Sequence, residues 1–236
     1  MGSPELAEAL AAEKAEVVVI VTPGSQDRAE LDVKSLEACK KAGVKHVVVV
    51  SVVTAGVVGT VFGDQFTTVE KAAKECGMAW TLVRLPVFID NYWGFAESIK
   101  GQASIYCPVD PAMPFSAIAV QDIGTALAKI ALSPKSHAGK TYNLVTVPHT
   151  YAEVTAAIAK ATGKEITYVR VPYQAAKEAF LGMGWPEWQT DGLLELFKMM
   201  DEGGKMVFPG GDFKKITGKD SITVEAWAET AKGGFM

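Results

Sequence analysis

A run of consecutive β-branched residues, Val17-Val18-Val19-Ile20-Val21-Thr22, constrains the fold of this chain more than any other feature. A strand with one wet face alternates apolar and polar residues, whereas a run apolar at every position reads as a strand covered on both faces of a parallel sheet. Pro23 and Gly24 end it, and the pattern then repeats. Arg28 to Ala42 carries Leu31, Ser35, Leu36 and Cys39 at helical spacing, with Gly43 behind it as a stop, and Val47 to Ser51 is a second apolar strand. Gln65 to Glu75 reads as a helix closed by Gly77, and Trp80 to Leu85 as a third strand halted by Pro86. Helix and buried strand in alternation imply right-handed crossover units in an α/β, doubly wound parallel sheet.

The flanks complete the pattern. Glu5 to Lys14 is alanine-rich and helical, with Ser3 placed to cap it. Val120 to Leu132 is a further helix and Thr141 to Val145 a last strand. Beyond these, Tyr151–Thr162, Tyr173–Leu181, Pro186–Met200 and Val224–Ala231 read as helices, with only Ile166–Val171 strand-like between them. The expected organisation is a Rossmann-like body over residues 1–147 and a smaller, mostly helical C-terminal lobe over residues 148–236.

Composition narrows the function classes. With 49% hydrophobic residues among 236 the chain can pack a core, and a net charge of −4 leaves no basic excess for a nucleic-acid backbone. Cys39, Cys76 and Cys107 are an odd number without metal-ligand spacing, which fits a reducing intracellular compartment. His46, His137 and His149 form no ligand pair, so no metal site is expected. Val47 to Phe62 is uncharged, yet it is shorter than the ~20 residues of a membrane helix and is broken by Gly56 and Gly59, so no transmembrane segment is expected.

Four local patterns carry a family resemblance: Ala42-Gly43-Val44-Lys45-His46 leading into Val47 to Ser51; Gly77-Met78-Ala79-Trp80-Thr81-Leu82-Val83-Arg84-Leu85-Pro86 with Phe88 and Asn91 behind it; Phe115 to Gly124; and Gly182-Met183-Gly184-Trp185-Pro186-Glu187-Trp188 with Ile216-Thr217-Gly218 and Thr223 to Trp227. In this order they resemble the NmrA-like family of atypical short-chain dehydrogenase/reductases, in particular its quinone-reductase-like and redox-sensor-like members. The resemblance implies a Rossmann-like fold and a dinucleotide, NADP(H) or NAD(H), if the family activity is retained.

Such proteins open with a strand, a glycine-rich turn and a helix, where main-chain N–H groups and the helix dipole meet the pyrophosphate. Nothing before Glu16 has that form. By the resemblance, residues 1 to 15 match the helix before the family's fourth strand, so three strands are expected to be missing and the sheet incomplete. The family's lysine, which orients the nicotinamide ribose and assists proton transfer, falls on Phe66, and Lys71 further along reads as a solvated lysine. No catalytic residue is therefore expected and no cofactor for this chain alone.

Matching the cofactor-side rim are Thr22, Pro23, Ser51, Val52, Pro86, Val87 and Phe88, at the strand ends where open α/β sheets bind ligands. Asn91, Tyr92, Trp93 and Phe95 are candidates for a substrate cleft between body and lobe. A body beginning at Glu16 leaves Val17, Val18, Val19, Ile20 and Val21 on a sheet edge, a template for a protein partner or a second copy. The expected function is a structural or regulatory NmrA-like module acting through protein contacts. The alternative is an NAD(P)H-dependent oxidoreductase of the quinone or carbonyl type, represented by an incomplete chain.

Overall fold

The computed structural model describes residues 4–236. Their strands are β1 (Val17–Ile20), β2 (His46–Val52), β3 (Ala79–Leu85), β4 (Val87–Phe88), β5 (Ser104–Cys107), β6 (Ala117–Ile118), β7 (Lys140–Asn143) and β8 (Thr167–Arg170). Four of them form a parallel sheet in the order β1-β2-β3-β7, while β4 pairs with β6 and β5 with β8, also in parallel. Helices α1 (Pro4–Ala12), α2 (Arg28–Lys41) and α3 (Val61–Glu75) precede β3. After it come α4 (Ala96–Gln102), α5 (Val120–Leu132), α6 (Pro134–His137), α7 (Tyr151–Thr162), α8 (Tyr173–Gly182), α9 (Glu187–Asp201), α10 (Asp212–Thr217) and α11 (Val224–Ala231).

The sheet is sandwiched as its valine runs require. On β2, Val47 and Val49 point into a cluster with Leu36 and Cys39 of α2 and Phe66, Val69 and Ala73 of α3. Val48, between them, points the other way, toward Ile123, Ala126 and Ile130 of α5 and Phe213 of α10. This strand is the doubly buried one, all four residues from His46 to Val49 being inaccessible. A third cluster spans Ile89, Tyr92 and Phe115, Tyr151 and Ile158 of α7, Phe197 of α9, Trp227 of α11 and Phe235. Local signals fix α7: Thr150 and Glu153 form a reciprocal capping box, and Gly163 at φ +70° closes its far end.

Several expectations are corrected. β1 is paired only over Val17–Ile20, so Val21 and Thr22 lie beyond the sheet, and Val19 and Val21 are 37% and 56% exposed. The strand has one neighbour, and the helix on its second face, α5, leaves Val19 uncovered; the uninterrupted β-branched run there does not mean burial on both sides. α3 begins at Val61, four residues before the expected start at Gln65, and the Glu195 carboxylate on α9 accepts from the Val61 N–H at 2.9 Å. The α1 helix stops at Ala12, two residues short of Lys14, and Ser3, expected to cap it, lies outside the described residues. Contacts cross the expected boundary at residue 147: β5 and β8 pair, Phe115 bridges His149, and the third cluster draws side chains from both sides.

Candidate functional site

At the carboxyl ends of β1, β2 and β3 the chain leaves an apolar cavity of about 510 Å³. A second, of about 660 Å³, adjoins it between the loop after β3 and helices α8 and α9. The two share Val87, Phe88, Asn91, Trp185 and Leu193 in their walls and are together called the chamber; each is within the size range of small-molecule sites.

The rim residues separate cleanly. Thr22, Ser51, Val52 and Pro86 line the first cavity, Val87, Phe88 and Asn91 line both, and Tyr92 and Phe95 line the second. Pro23 and Trp93 line neither. The Pro23 carbonyl accepts from Arg28 Nε at 3.2 Å, and Trp93 stacks on Phe235 with ring centroids 5.0 Å apart. Trp93 is held there because the chain backbone closes on its ring: a Cβ at Gly234 would collide with it. Phe66 does line the first cavity, with the Arg28 guanidinium 4.8 Å above its ring, while Lys71 is exposed.

Three polar constellations border the chamber. In the first, the Ser51 hydroxyl donates to Glu70 at 2.7 Å, and Arg84 donates to both carboxylate oxygens through Nε and Nη2, each at 2.7 Å. Burial works against the charged form of Glu70, but the bonds from Arg84 and Ser51 and the charges of Arg84 and Lys74 outweigh it and hold the carboxyl below its usual value. Ser51 thereby spends its proton on Glu70 and keeps an acceptor lone pair.

In the second, Tyr92 OH lies 2.5 Å from His149 Nε2, and His149 Nδ1 lies 3.4 Å from the Val147 carbonyl. The carbonyl can only accept, so Nδ1 carries the proton and Nε2 accepts from the phenol. Burial lowers the His149 pKa and raises that of Tyr92, so both groups sit neutral. In the third, the Thr22 hydroxyl donates to Asp32, a buried carboxylate pushed up to about 6 by burial against the opposing pull of Arg28.

Sequence reasoning missed Arg28, Gln189, Trp185 and Leu193. The turn from α8 to α9 places Trp185 at the junction of the two cavities, behind Gly184 at φ +83°. The motif around Trp185 was visible, but its position against β4 depends on contacts far apart in sequence.

A dinucleotide is tested by these residues end by end. The apolar strand-end cavity with Thr22, Ser51 and Asn91 on its wall fits a nicotinamide ring and its amide. The described residues form no glycine-rich cradle of main-chain N–H groups for the pyrophosphate: the loop after β1 has one glycine, Gly24, outside the left-handed region. Among the described residues no group of three or more His, Cys, Asp or Glu could hold a metal ion, and no helix is long and apolar enough to cross a membrane.

Comparison with known proteins follows from this geometry. Residues 4–218 match the NmrA-like family. The chain is 34% identical to the NAD(P)H azoreductase of Xenophilus azovorans over 221 residues, 92% of this chain and 76% of that protein. Four curated relatives are spanned to between 62% and 76% of their own length. In fold it is similar to the triphenylmethane reductase of Citrobacter sp. complexed with NADP(H), with a TM-score of 0.83 at 19% identity over 98% of this chain and 81% of that one. It is likewise similar to the NADPH-dependent quinone oxidoreductase of Escherichia coli complexed with NADPH, with a TM-score of 0.82 at 22% identity over 97% and 80% of the two chains.

Proposed function

The chain belongs to the NmrA-like family, and we propose that it forms the nicotinamide-facing and substrate-facing part of an NAD(P)H-dependent reductase acting on aromatic acceptors of the quinone or azo type. One observation carries this reading: two adjoining apolar cavities that share Val87, Phe88, Asn91, Trp185 and Leu193 in their walls at the carboxyl ends of a parallel sheet. The oxidoreductase relatives support it. A bound nicotinamide would supply hydride. The chain's own residues would orient and enclose the reactants. Thr22, Ser51 and Asn91 offer hydrogen bonds at the first end, and Phe88, Phe95, Phe180 and Trp185 offer aromatic faces that exclude water from the second.

The test is a titration of the chain with NADPH followed by Trp185 fluorescence, then oxidation of NADPH at 340 nm with a quinone and with an azo dye. Micromolar binding with turnover of either acceptor supports the reading, and binding absent at millimolar cofactor removes it. A module acting through protein contacts is the second reading, favoured by one observation: the edge strand β1 with Val19 exposed beside one neighbour only, and Val58 in the β2–α3 loop 90% exposed. That reading expects neither binding nor turnover and a complex visible by sedimentation.

A further inference from the structure

Arg28 is the one charged side chain in the wall of either cavity. It is only 9% exposed, and it makes no ion pair among the described residues. Its Nε donates to the Pro23 carbonyl at 3.2 Å and its Nη1 reaches Gln65 Oε1 at 3.5 Å, both neutral oxygens, while Nη2 meets no acceptor. Asp32, one turn along α2, is the single charge whose field supports it, yet that carboxylate takes its hydrogen bond from Thr22. A mostly buried guanidinium with two neutral partners and no carboxylate bonded to it, its Nη2 still accessible, keeps donor capacity for an anion.

The surroundings of Nη2 say what is wanted. Gly24 supplies no side chain: a Cβ there would lie 3.4 Å from Arg28 Nη2 and 3.7 Å from Gln189 Nε2. Two donors from different elements, α2 and α9, therefore lie near one another beside Gly24 in the cavity wall. The Gln189 side chain has no hydrogen-bond partner among the described residues, so its amide is free to turn its donors inward. The Phe66 ring beneath the guanidinium fixes its plane.

The geometry points to an oxyanion subsite in which Arg28 and Gln189, both in the wall of the first cavity, hold a carboxylate, sulfonate or phosphate group on a ligand whose apolar body fills the chamber. A planar fork is suited to such a group because two parallel N–H donors match two oxygens. The oxyanion has two possible sources, a phosphate of a dinucleotide or an acidic substituent of an aromatic acceptor. The subsite stands independently of whether the chamber hosts a reduction.

Binding of 1-naphthalenesulfonate is compared with that of uncharged 1-naphthalenesulfonamide by isothermal titration calorimetry on the full chain. The sulfonate is expected to bind about tenfold tighter or more, as a charge-assisted pair provides. Arg28→Gln brings the ratio toward one, the sulfonate losing more affinity than the sulfonamide, and Gln189→Leu lowers it in part. Equal affinity of the two probes for the unaltered chain, no binding of either at millimolar concentration, or a ratio untouched by both substitutions overturns the subsite. Should Arg28→Gln fail to fold by circular dichroism, the two-probe ratio and Gln189→Leu decide. Displacement of the sulfonate by ADP-ribose assigns the subsite to a dinucleotide phosphate, and simultaneous binding assigns it to a substrate substituent. A chain that prefers the sulfonate through Arg28 but oxidises no NADPH keeps the subsite and loses the reductase.

Discussion

Replacing Glu70 by glutamine tests the network that holds Ser51 at the chamber wall. Glu70 is almost wholly buried, and its two oxygens take three hydrogen bonds of 2.7 Å, two from Arg84 and one from Ser51. Glutamine offers an NH₂ where one Arg84 donor points, so the pair is broken with the guanidinium still in place. Breaking a fully buried pair costs about 3–5 kcal/mol. The Arg84 side chain keeps 27% exposure, so water recovers part of its solvation and about 2–3 kcal/mol is the expected loss. Lys74, nearly half exposed at 3.5 Å, is screened and adds nothing to that figure. For a chain of this size the loss corresponds to a fall in Tm of about 5–10 °C.

The pH dependence sharpens the test. The folded-state pKa of Glu70 lies below its unfolded value of about 4.3, so its contribution is present above that pH and is lost as pH falls through the folded value. Unfolding free energies of the parent and Glu70→Gln chains, measured by urea titration, should differ fully at pH 7 and converge as pH falls through the folded value. A difference under about 1 kcal/mol at pH 7, the size of an ordinary neutral hydrogen bond, or one that stays constant into acid would show that the cluster is not an energetic unit.

Other perturbations follow. Asp32, pushed up to about 6 from about 3.9 in the unfolded chain, contributes stability that is full below about pH 3.9 and lost as pH rises through about 6; Asp32→Asn should flatten that slope, and an unchanged slope in a pH series of melts would sink the assignment. Gly63→Ala places a Cβ 2.7 Å from the Thr54 and Val57 carbonyls in the first turn of α3, where backbone cannot give way, and should lower stability by about 1–3 kcal/mol in a denaturant titration. Tyr92→Phe leaves His149 Nε2 buried without its donor and should destabilise by about 1–3 kcal/mol, whereas a neutral effect would mean water replaces the phenol. Phe115→Ala empties a fully buried site shared with His149 and Tyr151 and should cost about 3–5 kcal/mol, checked by calorimetry.

The sheet was legible because its signals are local. The Val47–Ser51 run and the Trp80–Leu85 run state their burial in their own composition, and the helix spacings of α5, α7 and α11 carried their bounds unchanged into the structure. Where a signal is supplied from a distance, the reading slipped. α3 starts early, where Glu195, 134 positions away, takes its first N–H. β5 went unseen because α4 ends at Ala103 with φ +49°, a left-handed stop made by a residue that does not announce one, and because its partner β8 lies beyond residue 147. β4 and β6 are two residues each, too short for any periodicity.

The chamber follows the same division. Its strand-end half, Thr22 through Phe88, could be named from position alone, since parallel strands present their carboxyl ends together. Its other half exists only once the α8–α9 turn brings Trp185 into the walls that Phe88 also lines, and the one charge lining the chamber among the described residues is not marked by any motif. The burial of Arg28, with the Phe66 ring beneath it and Gln189 near, arises only in the fold. The position where the family resemblance would put a lysine is that same Phe66. A phenylalanine there supplies the apolar floor on which a cation from the neighbouring helix is held, so charge is offered to the same cavity from a different element. Phe66→Leu should therefore weaken the sulfonate preference by loosening Arg28, measured by the same calorimetric ratio, and an unaltered ratio would separate the ring from the role given to it.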